Sequence, residues 1–301
     1  MVLAERDPIL QKTTSCHHIN ADSQLSPAQK GLYFVVNAIN NLFPMRNVDQ
    51  RIVVQSFLPE TGYTNHKHMN PLSSPSRYLS DLFWAQRDWQ SIQDMLGGEI
   101  RVLDIGCGSG RYYPKLMAFS GGRIVSYHGI DIHPFAEWSR HQWGNGVVDF
   151  SVYDGRGLEL PLSRRPNLII SQSAFEHIEE DMTVFRQLAD YCRSSGFSVM
   201  QIHLVPSSAC LKLYMLHGIR QYTPRTISKV TRLFGNHHVF TLYMLGGKRC
   251  NDLHWNYITK PLLMKKKDGR DNRLYPRLLH EAVFVSTKAT SSPSFYALII
   301  Q

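Results

Sequence analysis

The sequence predicts an α/β protein built on a mostly parallel sheet, and three observations carry that reading. Short apolar runs recur from residue 100 onward, at 100–105, 124–130, 146–152, 167–170 and 196–205. Helical stretches separate them, most clearly 179–192. Near-continuous apolar strands alternating with helices indicate a parallel sheet covered on both faces. The last two apolar runs, 280–287 and 294–300, are joined by a segment too short to cross a sheet, so they are expected to pair antiparallel.

The elements before residue 100 read differently. Residues 1–26 are polar and mixed, a loose arm. Ser26-Pro27 starts a helix, with serine as the cap and proline in the first turn, and Pro44 stops it after Phe43. Gly62, Pro71 and Pro75 mark 60–77 as a loop, and 78–96 carries apolar residues at helical spacing until Gly97-Gly98 ends it. The implied organisation is an N-terminal arm and helical extension over 1–77 and one domain over 78–301. That domain carries an inserted cover segment at about 206–280.

Composition excludes several classes. With 43% hydrophobic and 11% aromatic residues the chain can fill a core, which rules out wholesale disorder. No apolar run approaches the ~18–20 residues of a membrane helix. The start, MVLAERDPIL, lacks the apolar stretch of a secretory signal, so a cytoplasmic protein is expected. Five scattered cysteines with no C-x-x-C spacing argue against a disulfide framework or a zinc knuckle. His17-His18, His66-x-His68 and His237-His238 lack partners at metal spacing, and no metal is expected. Charge is uneven. Residues 1–205 hold 18 Lys+Arg against 20 Asp+Glu, whereas 206–288 hold 15 Lys+Arg against four acids. That late basic stretch is a solvated face or a surface for an anionic partner. Lys265-Lys266-Lys267 with Arg270 and Arg273 is a solvated loop or a contact for anionic lipid headgroups.

Chemistry concentrates at the first strand of the repeat. In VLDIGCGSG (102–110) a strand runs into Gly106-x-Gly108-x-Gly110 and then into a helix. Glycines let a ligand approach the backbone, and a helix N-terminus adds free N–H groups. The spacing is not the G-x-G-x-x-G of dinucleotide folds. Asp104 lies just before the first glycine, where a carboxylate suits a ligand with an amino group and does not suit a pyrophosphate. Asp131 ends the second strand, placed to accept from ribose hydroxyls. Asp154, followed by Gly155, lies just past the third strand, within reach of an adenine amino group.

These motifs together resemble the class I S-adenosylmethionine-dependent methyltransferases, in their small-molecule, type 11/12-like branch. The resemblance implies a Rossmann-like seven-stranded sheet with an antiparallel terminal hairpin, and S-adenosyl-L-methionine as cofactor. Asp104, Gly106, Gly108 and Gly110 match the family's first motif, Asp131 its ribose-binding acid and Ile132 the residue packed beside adenine. Asp154 with Gly155 matches its adenine-binding acid, and Ser171 belongs to the fourth-strand segment that leads into Ala174-Phe-Glu-His-Ile178. The stretch HLVPS…LHGIRQYTPR is similar to methyltransferases of bacterial surface-glycan biosynthesis.

In that family the sulfonium already activates the methyl group, so the protein aligns the nucleophile and excludes water. A base is needed only for a protonated nucleophile such as a hydroxyl. His177 and His203, at the ends of the fourth and fifth strands, are the candidate bases; Glu176 reads as a local cap or pair. His217, Arg220 and Tyr222 are candidate substrate contacts, with Arg220 as a clamp for a carboxylate or phosphate and Tyr222 stacking on a ring. The chain lacks the N-P-P-Y-type and Pro-Cys signatures of nucleobase methylation. The leading expectation is methyl transfer to a small-molecule or glycan hydroxyl. The alternatives are an RNA methyltransferase, disfavoured by the absence of a recognisable RNA-binding module, and a non-catalytic S-adenosylmethionine-binding partner subunit.

Overall fold

The computed structural model describes residues 12–14, 18–141, 147–153, 157–284 and 292–301. Among these, β1 (Ile52–Ser56), β2 (Ile100–Ile105), β3 (Ile124–Asp131), β4 (Val147–Val152), β5 (Leu168–Gln172), β6 (Met200–Pro206), β7 (Phe240–Leu245) and β8 (Phe295–Ile300) form one sheet. Its order is β1-β7-β8-β6-β5-β2-β3-β4. Every pairing is parallel except the two that β8 makes with β6 and β7. The Rossmann-like, mostly parallel sheet with a reversed final strand is therefore present, with one strand more than the seven expected.

The helices are α1 (Pro27–Asn40), α2 (Pro75–Ala85), α3 (Trp89–Met95), α4 (Tyr112–Phe119), α5 (Glu159–Ser163), α6 (Asp181–Ser194), α7 (Cys210–Leu213), α8 (Pro224–Thr231), α9 (Lys248–His254), α10 (Lys260–Leu263) and α11 (Tyr275–Phe284). Helix α1 starts as expected, on a capping box in which Ser26 and Gln29 exchange bonds. The expected helix over 78–96 is two helices, because Asp88 caps a new start by accepting from the Ser91 backbone N–H and hydroxyl.

The tail departs from expectation. Residues 275–284 form α11, not a strand, and bury Tyr275, Leu279, Ala282 and Val283 at helical spacing. A window that opens at residue 280 cuts that period in half and reads as a strand. Besides β6, the antiparallel partner of β8 is β7, from inside the segment expected to be a cover. Strand β1, from the segment before residue 78, pairs with β7 and extends the sheet edge.

Alternation along the strands splits the core into two clusters, one on each face. Val102, Leu168, Ile170, Ile202 and Ile299 pack with α2, α3, α4, α9 and α11. Leu103, Ile169, Val205 and Leu298 pack with α6 and α8 on the other side. No helix among the described residues is long and apolar enough to cross a membrane.

Candidate functional site

Parallel strands bring the carboxyl ends of β2, β3 and β5 to one edge of the sheet, where ligands bind in open α/β folds. The 106–110 loop leaves β2 there. Gly106 and Cys107 donate their N–H groups to the Ile130 carbonyl (2.8 and 3.0 Å), and Gly108 donates to Asp131 Oδ2 (2.8 Å). Gly106, at φ +73°, cannot carry a side chain, since a Cβ would stand 2.3 Å from that of Ala174. Gly108, at φ +55°, faces open space. Trp138 holds the loop from outside, donating its indole N–H to the Gly108 carbonyl (2.8 Å) and stacking on Phe150.

Between this loop, α2 and α4 lies a cavity of about 390 Å³. Asp104, Gly106, Gly108 and Gln172 line it, with Arg77, Arg111 and Lys115 on its walls. Asp104 is wholly buried. Tyr127 donates to its Oδ2, while Oδ1 has no partner among the described residues. Burial pushes its carboxyl up to about 7, against the lowering bond from Tyr127, with the Asp131 charge adding to the rise. A buried carboxylate oxygen without a partner, in a residue that lines a cavity, calls for a donor, and a cationic ligand group can supply one. Asp81, bonded to Tyr112 and Lys115 (2.8 and 2.6 Å), fixes one basic wall.

The site residues expected from sequence separate into three groups. Asp104, Gly106 and Gly108 share the cavity. Gly110 and Asp131 belong to the same loop system beside it. Ile132 is 59% exposed on the strand end. Asp154 and Gly155 lie outside the described residues.

A second group faces elsewhere. Ser171 and His203 point to the α6 face of the sheet, opposite the cavity, because strand side chains alternate and their neighbours Gln172, Ile202 and Leu204 take the other face. His203 is completely enclosed. Its Nδ1 meets the Ser171 hydroxyl and its Nε2 the side-chain amide oxygen of Gln201, both at 3.0 Å, and burial lowers its pKa to about 3. Such a ring is a core group, not a base facing an acceptor, and Ser171 is its partner, not a cofactor contact. Arg220 and Tyr222 are also buried. Arg220 donates to the carbonyls of Phe175 (3.3 Å), Ile178 (2.5 Å) and Glu179 (2.6 Å) and pairs with Asp181 at 3.2 Å. The Tyr222 hydroxyl donates to Asp181 (2.8 Å). Both brace the loop after β5 from inside; neither is open to a substrate.

The third group is drawn together by that braced loop. Glu176 is buried and accepts from the Ser173 hydroxyl. His177 and His217 pack edge to face, with centroids 4.7 Å apart, and stay about one-third exposed. Their Nε2 atoms lie 3.9 and 4.0 Å from Glu176 Oε1. Asp22, from the N-terminal arm, bonds His177 Nδ1 at 2.5 Å. Sequence reasoning missed His68, Arg77, Arg111, Lys115 and Gln172 in the cavity and Asp22 in this cluster. The glycine motif pointed to Arg111 and Lys115 through the helix that follows it; nothing local marked Asp22.

The fold and this edge define an α/β protein whose glycine loop, open acid and basic walls form a small-ligand cleft. The chain belongs to the methyltransferase-domain family, whose model matches residues 77–241. Among solved structures it is similar to an S-adenosylmethionine-dependent methyltransferase from Archaeoglobus fulgidus (18% identity, 73% of this chain and 93% of that one, TM-score 0.42). It is also similar to one from Mesorhizobium loti (12%, 76% and 99%, TM-score 0.43). A third likeness is to the plantazolicin methyltransferase BpumL in complex with S-adenosylhomocysteine (14%, 80% and 87%, TM-score 0.41). Curated proteins yield no match.

Proposed function

We propose that this chain transfers a methyl group from S-adenosylmethionine to a hydroxyl of a small-molecule or glycan acceptor. The observation that carries the reading is buried Asp104, which lines the glycine-loop cavity and whose Oδ1 has no hydrogen-bond partner among the described residues. The cofactor's amino group fits that oxygen. Its carboxylate fits the walls formed by Arg77, Arg111 and Lys115, and its ribose the outer lone pairs of Asp131. When bound, the cofactor supplies an electrophilic methyl on a positively charged sulfur.

The remaining work belongs to the chain. Gly106 and Gly108 let the ligand approach the backbone, and the cavity walls hold it away from water. The loop that packs against Gly106 through Ala174 also carries Glu176 and His177, so an acceptor reaching the methyl group from that side meets the Glu176–His177–His217 cluster. That cluster is where the acceptor's proton is handled.

Calorimetric titration of the purified chain with S-adenosylhomocysteine tests the cofactor half of the reading. One site per chain is expected, weakened at least tenfold by Asp131→Ala. No binding overturns it. Methyl transfer from labelled S-adenosylmethionine to a panel of hydroxylated small molecules and glycans tests the acceptor half, with an RNA panel in parallel. Label entering RNA alone overturns the acceptor assignment.

A further inference from the structure

The Glu176–His177–His217 cluster has a geometry that an ordinary ion pair does not require. Both Nε2 atoms turn toward one buried carboxylate, at 3.9 and 4.0 Å from Glu176 Oε1, too far for hydrogen bonds. Glu176 Oε2 is buried and has no partner among the described residues. Both Nδ1 atoms turn the other way, toward Asp22: Oδ2 lies 2.5 Å from His177 Nδ1 and Oδ1 3.9 Å from His217 Nδ1. One ligand-type atom from each of the three residues lies within 4.8 Å of the others. The arm is pinned in register by the Asp22 bond to the Gly218 N–H (3.1 Å) and by the Ala21 N–H bond to the Gly218 carbonyl (2.9 Å).

Carboxylates on the far nitrogens of histidines, with the near nitrogens converging on a third group, are how proteins orient imidazoles around a metal. We propose that Glu176, His177 and His217 form a divalent metal site of two imidazoles and one carboxylate, with Asp22 as the outer partner that holds the His177 ring and lies beside that of His217. The donor set, two imidazoles and one carboxylate, selects a borderline cation of the zinc or iron(II) class over magnesium or calcium, which prefer all-oxygen shells. Metal–ligand bonds of about 2.0–2.2 Å place ligand atoms roughly 3.3 Å apart, so the three residues draw in by up to about 1.5 Å on binding. The two histidines are partly exposed, and only His177 is bonded, at one nitrogen, so both have room to do so. Three protein ligands leave a position open, as in catalytic sites.

The open position deepens the methyl-transfer reading and rests on it. An acceptor hydroxyl bound to the cation loses its proton to solvent more readily. The freed oxygen pair then forms the bond to the methyl carbon as the carbon–sulfur bond breaks toward sulfur. His177 serves here as a ligand, and the cation takes the place of a free base.

The test is calorimetry of the chelator-stripped full chain with Zn2+, Mn2+ and Mg2+, with the Mn2+ resonance signal followed in parallel. One ion per chain is expected, with Mg2+ at least 100-fold weaker than Zn2+. His217→Ala and Glu176→Gln each weaken binding 100-fold or more, and Asp22→Asn weakens it 10- to 100-fold. His237→Ala, at a histidine pair elsewhere, leaves it unchanged. Absence of stoichiometric binding overturns the proposal, as does binding that His217→Ala and Asp22→Asn leave intact in folded protein. Thermal melts of each variant separate lost ligands from lost fold. S-Adenosylhomocysteine titration distinguishes the two readings: cofactor binding without metal binding sinks only the metal site, and metal binding without cofactor binding sinks only the methyl-transfer reading.

Discussion

Replacing Asp104 by asparagine should make the ligand-free protein more stable and the cofactor site worse. In the folded chain the carboxyl sits near 7, against an ordinary 3.8. A buried acid with a raised pKa contributes no cost below about pH 4, when it is protonated in both states. The cost of ionising it grows between about 4 and 7 and is complete above 7. At 1.36 kcal/mol per pH unit the gap corresponds to about 4 kcal/mol. Asparagine removes that cost and keeps an oxygen for the Tyr127 hydroxyl. Urea unfolding at a series of pH values is the assay. The variant should match the parent near pH 4 and exceed it by up to about 4 kcal/mol at pH 8. The cofactor's amino group should then lose a charge-assisted bond worth about 1.5–3 kcal/mol, which weakens binding roughly 10- to 100-fold. The parent should bind S-adenosylhomocysteine about 30-fold more weakly at pH 5.5 than at pH 8, because the site must give up a proton there. Stability curves of the two proteins that run parallel across pH would refute the reasoning.

Two further substitutions separate core groups from site groups. His203→Ala leaves Ser171 and Gln201 without their partner and opens a hole among Phe175 and Phe185; it should cost about 2–4 kcal/mol by urea midpoint while leaving S-adenosylhomocysteine affinity within twofold. An unchanged midpoint would show that the ring is not part of the core. Arg220→Met strands the buried Asp181 charge and three loop carbonyls, and should cost about 3–5 kcal/mol in the same measurement. A purely substrate-binding arginine would leave stability unmoved.

The parts of the molecule legible in the sequence are those whose signal is local. The strand–loop–helix at 102–119 announces itself through consecutive residues, because a glycine loop between an apolar strand and a helix leaves few other conformations open. Helix α1 carries its own start in Ser26, Pro27 and Gln29. The tail was misread for the same reason in reverse. The apolar residues of α11 repeat every three to four positions, but the run beginning at His280 is too short to show it. Strands β1 and β7 are short, and each is stabilised by its neighbours in the sheet, so neither stood out alone.

Site residues follow the same division. His203, in the middle of β6, and Gln172, at the end of β5, sit on strands that run to the cofactor edge, yet one faces the α6 core and the other the cavity. Which face a strand presents to which helix layer depends on the packing of the whole sheet. Asp22 and Arg220 lie far along the chain from the groups they hold, and no spacing connects them. From its residues alone, then, the chain determined an α/β sheet, a glycine loop and the acid that opens into it, because those depend on neighbours within a dozen positions. Tertiary structure decided which histidines face solvent, which arginine became a strut, and that two loops and the N-terminal arm bring Glu176, His177, His217 and Asp22 together. Those outcomes depend on contacts made only once the sheet has ordered its strands.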